Sequence, residues 1–244
     1  MPVSQNDTNE FGQTVGYPVT DFMPPLRPSR TEMQGRFCSV VPIDTAAHGD
    51  SLFNALCTEG DDQNWTYLPY GPFENIESFR EWMHSTCEGD DPMFHSVIDH
   101  ATERAVGVAS YLRINQPAAS IEVGHIHYSP LMQKTPLATE AMYLMMKRVF
   151  ELGYRRYEWK CNALNRASRN AAMRFGFSFE GVFRQMLVTK ERNRDTAWYA
   201  CIDHEWPQLK SAYERWLDAD NFDADGVQKC SLAELTAPVL VNRG

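Results

Sequence analysis

Glu122, His125, His127 and Tyr128 fall within seven residues, and a helix signal opens soon afterwards at Pro136. Thr135 is placed as its N-cap, Pro136 at its first position and Gly153 just past its end. A helix start presents unpaired N–H groups and a positive dipole end, which suit a phosphate or pyrophosphate; an ordinary capped helix explains the same residues. His125-x-His127 has a metal-pair spacing, but no third ligand is near, so no metal is expected. Asn221-x-Asp223-x-Asp225-Gly226 has the pattern of half a calcium loop, yet Leu232 stands where the closing glutamate belongs. A solvated acidic turn is the better reading.

Strands and helices must hold these groups in place. FCSVVPI (37–43) predicts a strand, 48–57 a short helix and 75–87 a second helix on Ile76, Phe79, Trp82 and Met83. Strand patterns at 93–99, 105–114 and 119–128, with short linkers, predict an antiparallel meander. The helix from Pro136 leads into a strand at 154–161, a helix ending at Phe175-Gly176, and strands at 177–189 and 196–203. That order predicts an α/β (α+β) mixed sheet with a central parallel β-α-β crossover. Residues 1–35 are expected to form an extended arm, 36–204 the main domain, and 205–244 an amphipathic helix with an irregular tail packed on it.

The chain has 244 residues, with 23 Lys and Arg against 32 Asp and Glu, for a net charge of −9. This argues against nucleic acid or an anionic membrane as partner. From Lys147 to Arg194, 12 basic residues face four acidic ones, a local +8 that leaves −17 elsewhere. No apolar stretch nears the ~20 residues of a membrane span, and MPVSQNDTNEFGQ lacks a signal-peptide pattern, so a cytoplasmic protein is expected. The six cysteines lack a CxxC pair and are expected to be reduced core thiols.

Several of these segments carry a family likeness. IEVGHIHYSP (121–130) resembles the Glu-x-Gly strand of the GNAT N-acetyltransferase superfamily, and PLATEA (136–141) resembles the start of its acetyl-CoA helix. ELGYRRYEWKCNALNRASRNAAMRFGFSFEG (151–181) resembles its strand, Asn-x-x-Ser turn and helix ending in GFxxEG. WTYLPYGPF (65–73) is similar to a segment near the substrate side of the RimJ/RimL-like branch. The likeness spans most of 36–204 and implies the GNAT fold, acetyl-CoA as donor and a primary amine as acceptor, either a protein N-terminus or a small molecule. The rival is a catalytically weak or inactive acyl-CoA-binding or interaction module.

Two departures bear on that rival. The pyrophosphate loop of the family usually has two glycines where this chain has Lys134 and Pro136. A tyrosine common in the superfamily is replaced by Ala172.

Acetyl transfer needs a proton acceptor for the amine, N–H groups to polarise the carbonyl, and a proton donor for the leaving thiolate. Glu122, a carboxylate on a core strand beside the cleft, is the first choice of base, with His125 and His127, of suitable intrinsic pKa, as rivals, and an ion pair with an arginine as the other reading of Glu122. Strand alternation puts the histidines on one face and Glu122 on the other. A bulged strand at 125–128 is expected to supply the carbonyl-binding N–H. Ser168 is the proposed acid, with Tyr128 in reserve. Donor contacts are expected from Ile126, His127, Tyr128, Gln133, Lys134, Thr135, Pro136, Leu137, Ala138, Thr139, Asn165, Ser168 and Arg169. Arg166 and Arg174 are candidate counter-charges. The acceptor is expected beside Trp65, Tyr67 and His125, where an acidic remainder suits a cationic amine. The aromatic C-terminal helix is left to pack on its own domain or to form a homodimer.

Overall fold

The computed structural model describes residues 6–244; the first five residues of the expected arm lie outside the described residues. In chain order the strands are β1 (Asp7–Thr8), β2 (Thr14–Val15), β3 (Met33–Gln34), β4 (Cys38–Pro42), β5 (Met93–Asp99), β6 (Arg104–Asn115), β7 (Ser120–Tyr128), β8 (Arg156–Asn162), β9 (Ser178–Thr189) and β10 (Arg192–Ile202). The helices are α1 (Thr45–Phe53), α2 (Ile76–Trp82), α3 (Pro136–Glu151), α4 (Arg166–Arg174), α5 (Trp206–Leu217) and α6 (Leu232–Thr236). β1 and β2 form a small ribbon, and the other eight make one sheet in the order β3-β4-β5-β6-β7-β8-β10-β9. Every neighbouring pair is antiparallel except β7 and β8, which α3 joins as a parallel crossover. The expected meander and mixed sheet are both present.

Each face of the sheet has its own core. On one side Val40, Tyr111, Ile121, Val123 and Tyr157 pack with Met142 and Met145 of α3 and with Tyr213 of α5. On the other, α1, α2 and the loop between them bury Leu52, Leu56, Trp65, Phe79, Trp82 and Phe94. Local chemistry starts these helices: Asp44 caps α1 by accepting from the Ala47 N–H at 2.9 Å, and Asn75 caps α2 by accepting from Ser78. α4 ends at Gly176, whose φ of +89° and 2.3 Å approach of any added Cβ to Leu209 leave room only for glycine.

The described part of the arm and the C-terminal tail carry more regular structure than their composition suggested. β3 is one of the two edge strands of the main sheet, and Arg148 of α3 donates to the Thr31 and Glu32 carbonyls. The tail expected to be irregular contains α6, opened by a capping box in which Ser231 and Glu234 satisfy each other's backbone N–H groups. The Asp223 carboxylate accepts from the Asp225 and Val227 N–H groups, closing its own turn. All six cysteines are free thiols.

Glu140 sits in α3, 5% exposed, and accepts from the N–H groups of Arg36, Phe37 and Cys38 at 2.8, 2.6 and 3.0 Å. It fixes the entry of β4 against the crossover helix. Glu140→Ala strands three donors, so a loss of about 3 kcal/mol is expected. A thermal melt should fall by roughly 6–12 °C in a chain of this size. A fall below 2 °C would show that water replaces the carboxylate freely.

Candidate active site

Parallel pairing between β7 and β8 runs only from Ser120↔Arg156 to Val123↔Trp159. Beyond that point β7 continues to Tyr128 and β8 to Asn162 without partnering each other. The cause lies in β7, where the register against β6 jumps from Gly124↔Ser110 to His127↔Val108 and His125 takes a φ of +51°. The strand bends away, its edge from Gly124 onward carries no β8 ladder, and a cleft of about 670 Å³ opens. The loop after α1 (Asn64, Tyr67 to Pro69), the start of α4 and one face of β10 complete the walls.

Glu122 is 3% exposed at the base of this cleft. Its Oε1 and Oε2 accept from Arg113 Nη1 at 2.8 and 2.9 Å, while Lys160 Nζ is 2.8 Å from Oε2. Burial raises its pKa above the ordinary carboxylate value, and Lys160 and Arg113 oppose that rise. Lys160 also pairs with Glu158 at 2.7 Å and lies 3.8 Å over the Trp198 ring. Glu122 is thus the middle of a buried ion cluster, and both its oxygens are taken.

The bulge overturns the expected alternation, because His125 lines the same cleft as Glu122. His125 Nδ1 is 2.9 Å from the Tyr70 hydroxyl, and among the described residues no group bonds to Nε2. Burial first, then the charges of Arg113 and Arg194, push its pKa down to about 4, so the ring is neutral at physiological pH. His127 is placed differently. It is buried, its ring centroid lies 4.0 Å from that of Trp65, and it does not line the cleft. Tyr128 also misses the cleft: its hydroxyl is buried without a partner against the α3-side core.

At the far wall, Asn165 Oδ1 accepts from the Ser168 N–H at 3.0 Å and caps α4. Trp159 Nε1 donates to Ser168 Oγ at 3.0 Å, which leaves the Ser168 proton free to be given elsewhere. Both Asn165 and Ser168 line the cleft. Arg169 turns away, donating to the Tyr199 hydroxyl at 3.1 Å and the Ala163 carbonyl at 3.4 Å. Arg174 is likewise spent on Thr139 Oγ1 at 3.1 Å and the face of Trp216, so neither arginine stands at the cleft.

The segment before α3 accommodates its missing glycines. Lys134 itself adopts φ +62°, the left-handed conformation that a glycine would take freely, with its side chain exposed. Pro136 occupies the first helical position, where its lost N–H has no helical partner anyway. Thr135 Oγ1 donates to the Met132 carbonyl and does not cap the helix, so the Leu137 and Ala138 N–H groups face no side-chain acceptor. Gln133 is occupied in donating to the Tyr128 carbonyl at 2.7 Å.

Of the two aromatic residues expected on the acceptor side, Tyr67 lines the cleft and reaches the Leu164 carbonyl at 3.4 Å, joining opposite walls. Trp65 is 0% exposed, wedged among Tyr70, Phe73, Trp82 and His127. Its large apolar ring is core, and it cannot touch an acceptor. Lys190, in the β9–β10 turn, donates to the Trp65 and Gly71 carbonyls at 2.9 and 2.8 Å and ties the hairpin to this loop. Sequence reasoning gave no cleft role to Tyr70, Arg113, Lys160, Arg194, Thr196 or Trp198. The alternation of Arg194, Thr196 and Trp198 along β10 was the available signal.

Known proteins bear on this geometry. The acetyltransferase (GNAT) domain family matches residues 40–178. The solved GCN5-related N-acetyltransferase from Brucella melitensis is 44% identical, with TM-score 0.88 over 90% of this chain and 100% of that one. A probable acetyltransferase of the GNAT family from Chromobacterium violaceum is 40% identical, with TM-score 0.73 over 78% of this chain and 94% of that one. RimL, a ribosomal L7/L12 alpha-N-protein acetyltransferase, shares 18% identity at TM-score 0.57 over 70% of this chain and 93% of that one, a likeness of fold alone. No curated protein matches the chain.

Proposed function

The chain belongs to the GNAT acetyltransferase family, and on that premise we propose that it transfers the acetyl group of acetyl-CoA to a primary amine, with His125 as proton acceptor and Ser168 as proton donor. The observation that carries this reading is the break between β7 and β8, which opens a cleft lined by both residues within one sheet. Acetyl-CoA, when bound, supplies an activated acetyl thioester. The uncapped first turn of α3, with Leu137 and Ala138 N–H groups and Lys134 beside them, suits its phosphates. The unladdered edge of β7 around Ile126 offers N–H groups for a carbonyl.

His125 accepts the proton that the amine loses, at Nε2, while Tyr70 holds the ring by Nδ1. Glu122 supports this step from behind: it binds Arg113 and Lys160, so a proton on it would break two ion pairs. Ser168 gives its hydroxyl proton to the departing group while Trp159 fixes its oxygen. The acceptor enters beside Tyr67. Residues 36–204 carry this chemistry, with 1–35 and 205–244 as an arm and an extension. A RimJ/RimL-like acceptor, cytoplasmic residence and a homodimer belong to the same proposal, and no helix among the described residues is long and apolar enough to cross a membrane.

Thermal stabilisation by acetyl-CoA, followed by thiol release against an amine panel, tests the reaction. Ser168→Ala is expected to lower kcat by about 10- to 100-fold and leave acetyl-CoA affinity within threefold. Unchanged turnover removes Ser168 as the donor. Acetyl-CoA binding with no turnover across the panel favours the rival module.

A further inference from the structure

The cleft holds more positive charge than its carboxylate can match. Arg113, Lys160 and Arg194 line it against Glu122 alone. Arg113 and Lys160 are already engaged with Glu122, and Lys160 is shared with Glu158 behind it. The Arg194 side chain makes no ion pair and no hydrogen bond among the described residues, and its Nε is fully buried without a partner. Two residues further along β10, the Thr196 hydroxyl is also partnerless in a side chain 3% exposed. Trp198 Nε1 repeats the pattern after another two residues.

Residues 194, 196 and 198 alternate, share one face of β10 and all line the cleft. Buried donors without acceptors are costly, and a wall of three marks a place where a ligand supplies the acceptors. A guanidinium flanked by a hydroxyl and an indole N–H matches a planar anion with two oxygens.

We propose that the acceptor amine carries a carboxylate, bound by the Arg194 guanidinium with Thr196 and Trp198 completing its hydrogen bonds. This rests on the acetyl-transfer reading for its amine, and on the β10 wall alone for its carboxylate. It reverses the expectation of a purely cationic acceptor, because the acidic residues that dominate the rest of the chain are absent from the cleft apart from Glu122. The carboxylate belongs either to a free amino acid or to the acidic first residue of a peptide.

Matched acceptors test this by thiol release. Glycine, β-alanine, 4-aminobutyrate and 5-aminopentanoate are compared with their carboxamides, and dipeptide amides beginning with Asp or Glu with those beginning with Asn or Gln. At least one carboxylate is expected to exceed its amide by about 100-fold in kcat/KM. Preference among the free amino acids or among the peptides identifies the source. Arg194→Gln should erase that preference, lowering kcat/KM for the carboxylate about 100-fold further than for its amide, Arg194→Lys should restore part of it, and Thr196→Val should reduce it several-fold.

Carboxylate binding is read separately by calorimetry with the N-acetyl derivatives of the same amino acids. Binding by the wild type and not by Arg194→Gln supports the carboxylate site even if no amine is turned over, an outcome that would instead sink the transfer reading. Equal use of amides and carboxylates, an equal loss on both in Arg194→Gln, or no carboxylate binding by the wild type overturns the inference.

Discussion

His125→Asn is expected to lower kcat by about 10²- to 10³-fold while the KM for acetyl-CoA stays within threefold. Asparagine is chosen because residue 125 sits at φ +51°, a conformation it tolerates better than most side chains, so the bulge survives the change. It also keeps a polar group near the Tyr70 hydroxyl while offering no basic nitrogen. The pH profile adds an independent reading. Burial and the charges of Arg113 and Arg194 hold the His125 pKa at about 4, so the neutral form dominates throughout pH 5 to 8. The kcat of the wild type should therefore show no bend near 6.5, the place where an ordinary histidine titrates. A bend at 6.5, or a loss below threefold in His125→Asn, would return the role to Glu122.

Assigning the proton to His125 also explains the ion cluster. A buried Glu122 with one cation would be neutral as a pair, but here Arg113 and Lys160 both bind it, and Glu158, on the same strand as Lys160, balances Lys160. Burial raises the pKa of Glu122, and the two ion pairs, both lost on protonation, oppose that rise. Burial first, then the charges of Arg113 and Arg194, depress the basicity of the neighbouring imidazole, which keeps His125 free of protons before the amine arrives. The same positive surplus leaves Arg194 unmatched on the opposite wall.

The strands of the sheet were legible because alternation is a local signal: 93–99 coincides with β5, and 119–128 differs from β7 by one residue. The helix from Pro136 was legible because proline and Gly153 mark its ends. β3 escaped notice since two residues carry no periodicity, and its place comes from pairing with β4. The largest error concerned faces. Alternation from Glu122 places His125 opposite, and only the irregular register between Ser110 and Val108 brings them together. A bulge was expected at 125–128, but strict alternation was still applied across it, and one irregular step in register is enough to exchange the faces. Trp65 was misplaced for a related reason: a motif tells that an aromatic is near a site, but burial decides whether its ring faces the ligand or the core. The β10 wall lies some 70 residues beyond β7, so its convergence on His125 is a property of the closed sheet.

Acid should destabilise the protein well above the pH at which its carboxylates are neutralised. His95 and His127 are 0% and 4% exposed, both His95 nitrogens and His127 Nδ1 lack a protein partner, and burial holds both pKa values at about 4. In the unfolded chain each takes a proton below about pH 6.5. Between pH 6.5 and 4 the unfolded state therefore binds more protons than the folded one, and stability falls as pH drops through that window. The loss is about 3 kcal/mol for each ring, and about 6 kcal/mol for two is comparable with the whole stability of many domains. His125, also held at about 4, adds to the loss, while the raised pKa of Glu122 works in the opposite direction as a single group restrained by two cations. Urea midpoints measured at pH 7.0 and 4.5 should differ strongly in the wild type. In a His95→Leu, His127→Leu double variant, which removes both rings at similar volume, the difference should shrink by more than half; an unchanged difference would place the acid sensitivity elsewhere. That variant retains His125, and it is the background in which the acid limb of kcat near pH 4 can be measured before unfolding removes it.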